Sequence, residues 1–455
     1  MENKIITHAE LIANIKISGC AYRWDYPVIK LDRAQIRTCC QVSPNEQINS
    51  QKIQRDGAEI FLNSQFLIDR KVEMLLGNKS PNCRACWIAE QDEFPSMRSK
   101  AQPLANFLEI NEGQINHQAE YQESDLVKLA KISRPKILEL QLDNICDLSC
   151  IYCKAEYSTT WEKKLGIKVS KPPQQEVDKF RELFWQWYST IFSGLDGICI
   201  IGGEPLASPQ FFPTLKKLTE IHSANKSQII NQQFLSITTN LNTRPEIFQR
   251  FLELLDGLKD YFNLSINGSC EAVGAKAEFI REGLDWNKFD RNARSLAAFI
   301  KKNQTPNYHR RIDFAIHAAQ NTLSISSLPD LIKWAQGIES EFQIAVNFVQ
   351  NIVTYPGHFA PAAVLPEHYA KYCDESAMQL KDHVEVAKYM VGYDWNDYSQ
   401  FLSGIAHGLR TRGPGPDPEQ SAAFREWYLE LTEDRKTKFA ANFPDLMNDI
   451  IIGTD

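Results

Sequence analysis

The sequence lacks any hydrophobic run that approaches the roughly 18 residues needed to cross a bilayer. Its first residues also lack the basic and then apolar profile of a secretory signal. No basic run is present, and 50 Lys and Arg against 57 Asp and Glu give a net charge of −7, which disfavours a broad nucleic-acid-binding surface. The 455 residues, 43% of them hydrophobic, therefore predict a soluble, cytoplasmic protein of two or three structural units.

Cysteine is the residue type that stands out. An odd number of cysteines in a chain without an export signal argues against a disulfide framework and favours thiolates that bind metal. Eight of the eleven precede residue 154, and seven of these fall in two close pairs and one triplet, whereas Cys20 stands alone. The remaining three, Cys199, Cys270 and Cys373, are isolated.

Short apolar segments alternate with amphipathic segments through the middle of the chain. Parallel strands need crossover helices, so this alternation predicts an α/β fold, a partial (β/α)6 barrel of the TIM type. In such barrels the chemistry lies at the C-terminal ends of the strands. We expect an N-terminal domain over residues 1–105 that contains five of the cysteines, the barrel over 134–356 and a helical region over 357–455. The six expected strands are 137–142, 197–201, 234–238, 262–266, 311–316 and 342–348.

Directly after the first expected strand comes a triplet with the spacing C-x3-C-x2-C, formed by Cys146, Cys150 and Cys153. Three thiolates on one short loop can hold three irons of a cubane cluster and leave the fourth iron open to a substrate or cofactor. The alternative is a zinc loop, although zinc usually takes four ligands from two separated pairs.

This triplet resembles the hallmark of the radical S-adenosylmethionine (SAM) superfamily, in which the open iron chelates SAM. The resemblance implies that one electron from the cluster cleaves SAM to methionine and a deoxyadenosyl radical, which removes a hydrogen atom from a substrate. A second motif supports it, because Gly202-Gly203-Glu204-Pro205 follows the second strand and matches the family's GGEP element. The resemblance implies that these glycines let the backbone approach closely and that Glu204 accepts a hydrogen bond from the SAM ammonium group.

Further positions resemble the family's SAM-binding residues. The third strand ends in Thr238-Thr239-Asn240, which is similar to a T-N-G element, although Leu241 replaces the glycine. The fourth strand ends in a segment similar to a ribose-contacting S-x-D-G, in which Asn267 replaces the aspartate. The cofactor-binding residues implied outside the GGEP element are Tyr152 beside the adenine, Thr239, Asn240, Ser265, Asn267 and Arg281 near the SAM carboxylate.

The N-terminal cysteines resemble the auxiliary-cluster element of radical SAM proteins with a twitch- or SPASM-like domain. The run from Cys83 to Arg98 has the pattern C-x2-C-W-x2-E followed by S-x-R. The resemblance implies a second [4Fe–4S] cluster on Cys20, Cys39, Cys83 and Cys86. Adjacent residues of a strand point to opposite faces, so only one of Cys39 and Cys40 should be a ligand, and we choose Cys39. A structural zinc on the same four thiolates is the alternative.

The resemblance implies an enzyme that modifies ribosomally made peptides, for example by forming C–C or C–S bonds, by epimerisation, or by excision as a splicease does. No catalytic residue is assigned, although Cys270 is a candidate hydrogen-atom donor. The cysteine element occupies the N-terminus, so we expect a separate protein that binds the leader of the precursor peptide. A flavodoxin- or ferredoxin-type electron donor is expected too, and neither nucleic acid nor membrane is expected as a partner. The alternatives are a small-metabolite substrate and a non-catalytic zinc protein.

Overall fold

The computed structural model describes residues 5–40, 42, 45–91, 96–109, 120–132, 134–225, 233–304, 312–381, 395–411 and 415–453. These residues form two compact units. The first unit comprises residues 1–143, 170–202 and 220–234, and the second comprises 144–169, 203–219 and 235–455. Arg311 of the fifth expected strand lies outside the described residues, as do residues 110–119.

The strands of the described residues confirm the expected α/β fold class, a mixed fold of largely parallel strands consistent with a partial TIM-type barrel. In chain order the strands are β1 (Ile6–Thr7), β2 (Pro27–Lys30), β3 (Gln35–Thr38), β4 (Glu46–Gln47), β5 (Glu120–Tyr121), β6 (Ile137–Gln141), β7 (Ser149–Cys150), β8 (Gly197–Ile201), β9 (Gln233–Thr239), β10 (Phe262–Ser269), β11 (Arg281–Glu282), β12 (Ile312–Gln320) and β13 (Val346–Ile352). The six strands that the sequence predicts correspond to β6, β8, β9, β10, β12 and β13.

Helices separate these strands, and the longer ones present one apolar face. In Gln174–Ile191, for example, Phe180, Phe184 and Trp187 are spaced three and four residues apart and are buried. The α-helices of seven or more residues are His8–Ser18, Ser50–Asp56, Gln65–Leu75, Arg84–Gln91, Glu123–Lys131, Thr159–Leu165, Gln174–Ile191, Phe211–Ala224, Pro245–Leu258, Gly274–Ile280, Trp286–Asn303, Leu328–Phe342, Ala370–Lys381, Trp395–Thr411, Pro418–Leu429 and Glu433–Asn442. None of the helices in the described ranges is both long and apolar enough to span a lipid bilayer.

In the first unit, five strands lie in the order β8-β6-β2-β3-β4. Strands β8, β6 and β2 are parallel, whereas β2, β3 and β4 pair in antiparallel fashion. The sequence analysis did not anticipate β2, which pairs Val28 with Glu139 of β6. The core of this unit includes Phe61, which stacks on Trp187 with ring centroids 4.6 Å apart.

In the second unit, the strand order is β13-β12-β10-β9, and β10, β12 and β13 are parallel. The last strand begins later than expected, because the helix Leu328–Phe342 includes Phe342 and ends at Gln343, whose backbone is left-handed (φ +54°). A short antiparallel ribbon joins β7 to β11 by pairing Cys150 with Arg281. The region after β13 is helical in the described residues, as the sequence predicts.

Candidate active site

The loop that carries Cys146, Cys150 and Cys153 is held by the helix that follows it. The Oγ1 atom of Thr160 donates a hydrogen bond to the carbonyl of Cys146 (2.8 Å). The indole nitrogen of Trp161 donates to the carbonyl of Cys150 (2.9 Å). Both donors lie in the first turn of Thr159–Leu165, so a short helix fixes the two ends of the cysteine loop.

Burial controls the charge of these thiols. Desolvation raises the pKa of Cys150 to about 12, and it raises the pKa of Cys146 and of Cys153 as well. The positive charge of Arg281 opposes the shift at Cys150, and its Nη1 atom lies 3.8 Å from the Cys150 sulfur. The thiols are therefore protonated in the chain alone, and an iron cluster must displace those protons when it binds.

Glu204 lies at the entrance to a short helical turn and is only 3% exposed. Its carboxylate accepts hydrogen bonds from the Thr239 hydroxyl (2.6 Å) and from the backbone N–H of Asn240 (2.6 Å). A third comes from the backbone N–H of Leu206 (2.9 Å). A carboxylate has about four lone-pair positions, so one position remains for a cationic donor such as an ammonium group. Burial raises the pKa of Glu204 to about 7.

The two glycines before Glu204 permit close backbone packing. A Cβ atom on Gly203 would lie 2.3 Å from the carbonyl oxygen of Ile145 in the cysteine loop, a distance that no side chain tolerates. In the first unit, a Cβ on Gly202 would lie 3.0 Å from the carbonyl oxygen of Asp143. Pro205 opens the short helical turn that Glu204 caps. Gly203 is therefore required by the path of the cysteine loop itself.

Asn240 binds the cysteine loop through a residue that the sequence analysis missed. Its side-chain amide donates to one carboxylate oxygen of Asp147 (2.8 Å), and Asn242 donates to the other (2.8 Å). Leu241, between them, has φ +52°, the left-handed conformation that a glycine adopts without cost. The backbone thus takes the form expected of a glycine, although the residue is a buried leucine.

A buried ion pair lies behind the loop. Arg281 is 7% exposed, and it donates from Nε to the carboxylate of Glu271 (2.7 Å), with a second contact from Nη2. The hydroxyl of Tyr152 donates to the same carboxylate (2.7 Å). Glu271 was not among the predicted site residues, although its position directly after β10 was a usable signal.

The polar residues of β10 bond mainly to neighbouring strand residues. The amide of Asn267 donates to the hydroxyl of Ser236 (2.8 Å), while the hydroxyl of Ser265 donates to the amide oxygen of Asn267 (3.3 Å). Cys270 is fully buried, and its thiol donates to the carbonyl of Ala272 (2.8 Å). The roles in ribose binding and in hydrogen-atom donation remain predictions.

The first unit contains a second cysteine site. Cys20, Cys39, Cys83 and Cys86 line a single cavity, and Cys40 is not among its lining residues. Cys39 has a left-handed backbone (φ +72°) at the end of β3. Among the described residues, no three His, Cys, Asp or Glu side chains have the arrangement that holds a single metal ion. The four thiols therefore share one cavity, and both the second [4Fe–4S] cluster and the structural zinc ion stay predictions.

The spacing of Glu90, Ser96 and Arg98 after Cys86 has a structural reason. Glu90 accepts hydrogen bonds from the hydroxyl of Ser96 (2.5 Å) and from Nε of Arg98 (2.9 Å). The guanidinium of Arg98 lies over the ring of Trp87, 4.7 Å from its centroid. These contacts connect the helix Arg84–Gln91 to the segment that follows it and so fix one wall of the cavity.

Comparison with known proteins assigns the class of this site. Residues 141–309 match the family model of the radical SAM superfamily, and this part of the chain is therefore similar to that superfamily. A domain of this type implies SAM and one [4Fe–4S] cluster as cofactors, and the three thiols of the loop and the carboxylate of Glu204 fit that pair. No curated protein matches the chain.

Among solved structures, the chain is similar to three of SuiB from Streptococcus suis. The first has 17% identity and a TM-score of 0.37, and covers 58% of this chain and 51% of that chain. The second, bound to the precursor peptide SuiA, has 16% identity and a TM-score of 0.36, and the match covers 68% of this chain and 63% of that chain. The third, bound to S-adenosylmethionine, has 12% identity and a TM-score of 0.32 (79% and 67% covered). This chain thus spans about half to two thirds of the length of these structures.

Proposed function

We propose that this chain is a radical SAM enzyme that removes a hydrogen atom from a ribosomally made peptide and thereby modifies its backbone or side chains. The single observation that supports the peptide substrate is the four-cysteine cavity, whose sequence pattern resembles the auxiliary-cluster element of peptide-modifying radical SAM enzymes. When bound, the reduced cluster and SAM supply a deoxyadenosyl radical. Cys146, Cys150 and Cys153 would hold that cluster, and Glu204 would orient the SAM ammonium group.

The radical chemistry is tested at the cysteine loop. Cys150→Ala removes one of three ligands, so the chain reconstituted without oxygen should lose reductive formation of deoxyadenosine. The matched control is Cys373→Ala, because Cys373 is also a buried thiol of the second unit but lies on the helix Ala370–Lys381. Formation of deoxyadenosine by the Cys150→Ala chain at the parent rate would contradict the assignment.

The auxiliary cluster is tested by iron content. Two [4Fe–4S] clusters require about eight irons per chain, and one requires about four. Replacement of both Cys83 and Cys86 by Ala should lower the iron content from about eight to about four, while the SAM-dependent activity of the loop cluster survives. A parent chain that saturates at about four irons and carries zinc would favour the structural zinc site instead.

We further propose that a separate protein binds the leader of the precursor peptide. Radical SAM enzymes need an electron donor, and we propose a flavodoxin or ferredoxin. None of the eleven cysteines forms a disulfide in the described part of the chain, which supports action in a reducing cytoplasm. Titration with a precursor peptide tests the partner: tight binding by this chain alone, unchanged when the leader is removed, would contradict it.

A further inference from the structure

Arg23 contributes a buried guanidinium to the wall of the four-cysteine cavity. It is 3% exposed and lies one turn after Cys20, whose carbonyl accepts a hydrogen bond from the Arg23 backbone N–H (3.1 Å). Its Nη1 atom bonds to Thr38, at 3.2 Å from the hydroxyl and 3.4 Å from the carbonyl. Its Nε and Nη2 atoms are buried and have no acceptor among the described residues.

The positive charge of Arg23 also has no counter-charge nearby among the described residues. Arg98 lines the same cavity, but Glu90 neutralises it through an ion pair. Arg23 has no such carboxylate partner in the described part of the chain. Instead it lies near Lys71, a buried amine whose pKa falls to about 7, first through desolvation and then through repulsion by Arg23. Burying an unpaired cation is costly, so this position favours an anionic occupant of the cavity.

The four thiolates and a [4Fe–4S] core together form such an anion. Its reduced form carries one more negative charge than its oxidised form, and hydrogen bonds to the sulfur atoms set its reduction potential. We propose that Arg23 donates its free N–H groups to the sulfur atoms of the auxiliary cluster and stabilises the reduced form. This inference rests on the proposed auxiliary cluster, and it makes Arg23 a residue that adjusts the potential of that cluster.

The test isolates the auxiliary cluster in the full chain. Cys146, Cys150 and Cys153 are all replaced by Ala, so that iron binds only in the first unit, and the chain is reconstituted without oxygen. Arg23→Gln and Arg23→Lys are compared with this parent. The matched control is Arg55→Gln, because Arg55 is an exposed arginine of the same unit that pairs with Asp56. The measurements are iron and sulfide content, the spin-resonance spectrum of the reduced cluster, and its midpoint potential.

Arg23→Gln removes the charge and should shift the midpoint to a more negative potential. Arg23→Lys keeps the charge but loses the paired donors, so its shift should have the same sign and be smaller. Arg55→Gln should leave the potential unchanged. Loss of cluster iron from a folded Arg23→Gln chain, with iron retained by Arg23→Lys, would also support the proposal.

The failures of the two proposals are distinguishable. If the parent binds no [4Fe–4S] cluster, the auxiliary site itself is wrong. If the parent binds about four irons and both Arg23 variants keep its midpoint potential and spectrum, the auxiliary site stands and the role of Arg23 is wrong. Where circular dichroism shows that Arg23→Gln is unfolded, Arg23→Lys decides alone: a negative shift supports the proposal and an unchanged potential overturns it.

Discussion

Glu271→Gln is the substitution that tests the buried ion pair behind the cysteine loop. Glu271 is 0% exposed, and its carboxylate accepts hydrogen bonds from Tyr152, from Arg281 and from the backbone N–H of Ala319 (3.2 Å). Glutamine keeps the size of the side chain but loses the negative charge, and its amide group replaces one acceptor by a donor. The Arg281 guanidinium then stays buried without a counter-charge.

Removal of one partner from a buried ion pair costs about 3–5 kcal/mol, because the remaining charge is uncompensated. Arg281 is 7% exposed, so water cannot compensate it, and we expect the full cost. About 1.4 kcal/mol corresponds to a tenfold change in an equilibrium constant, so the unfolding equilibrium should shift by about two to four powers of ten. The measurement is urea unfolding of the cluster-free chain under reducing conditions, followed by near-ultraviolet circular dichroism.

A double substitution separates the lost pair from a general defect. The double variant Glu271→Leu/Arg281→Met lacks both charges. Its loss in free energy of unfolding should therefore be well below the sum of the losses caused by Glu271→Leu alone and Arg281→Met alone. An additive double variant, or a Glu271→Gln chain within about 1 kcal/mol of the parent, would refute the reasoning. The first result would mean that the two residues do not interact, and the second that the site is hydrated.

Three further outcomes are expected. Burial raises the pKa of Glu204 to about 7, so its contribution to the free energy of unfolding is complete below the ordinary glutamate pKa and is lost as the pH rises through 7. The urea midpoint of the Glu204→Gln chain should therefore decrease less across that pH range than the midpoint of the parent chain. Leu241→Gly should be at least as stable as Leu241→Ala in urea, the reverse of the usual order, because glycine relieves the left-handed backbone. Gly203→Ala should abolish deoxyadenosine formation because its Cβ meets the Ile145 carbonyl, whereas Gly257→Ala, in open space on a helix, should not.

The alternation of strands and helices could be predicted from the sequence because it is a local pattern. Strand β8 has the predicted bounds, and β6 is one residue shorter than predicted. Strand β13 was placed too early, because the apolar Phe342 fits a helix end as well as a strand start. The pairing of β2 with β6 could not be predicted, because the two strands lie more than a hundred residues apart and no local pattern reports such pairing.

The residues of the candidate site also fall into two groups, those in local sequence motifs and those recognised only by their partners in the fold. The cysteine triplet is a contiguous motif whose spacing pointed to a metal cluster, and the resemblance to the radical SAM superfamily pointed to Gly203 and Glu204. Asp147, Glu271 and Arg23 act through partners that are distant in sequence or through groups outside the chain. A single carboxylate or guanidinium has no sequence signature of its own. Its role emerges only when burial removes water and leaves a specific donor or acceptor as its partner.

Each of the two cysteine sites contains a non-glycine residue with a strained, left-handed backbone. Cys39 and Leu241 both have φ values in the left-handed region, which non-glycine residues rarely adopt and which costs about 1–2 kcal/mol per residue. Such strain persists only where the surroundings over-determine the backbone, and it concentrates at functional positions. The left-handed backbone at Cys39 accompanies a thiol that lines the cavity. At Leu241, it accompanies hydrogen bonds from Asn240 and Asn242 to the two carboxylate oxygens of Asp147 in the cysteine loop. A glycine at position 39 would remove the strain, but it would also remove the thiol that we propose as a ligand of the auxiliary cluster.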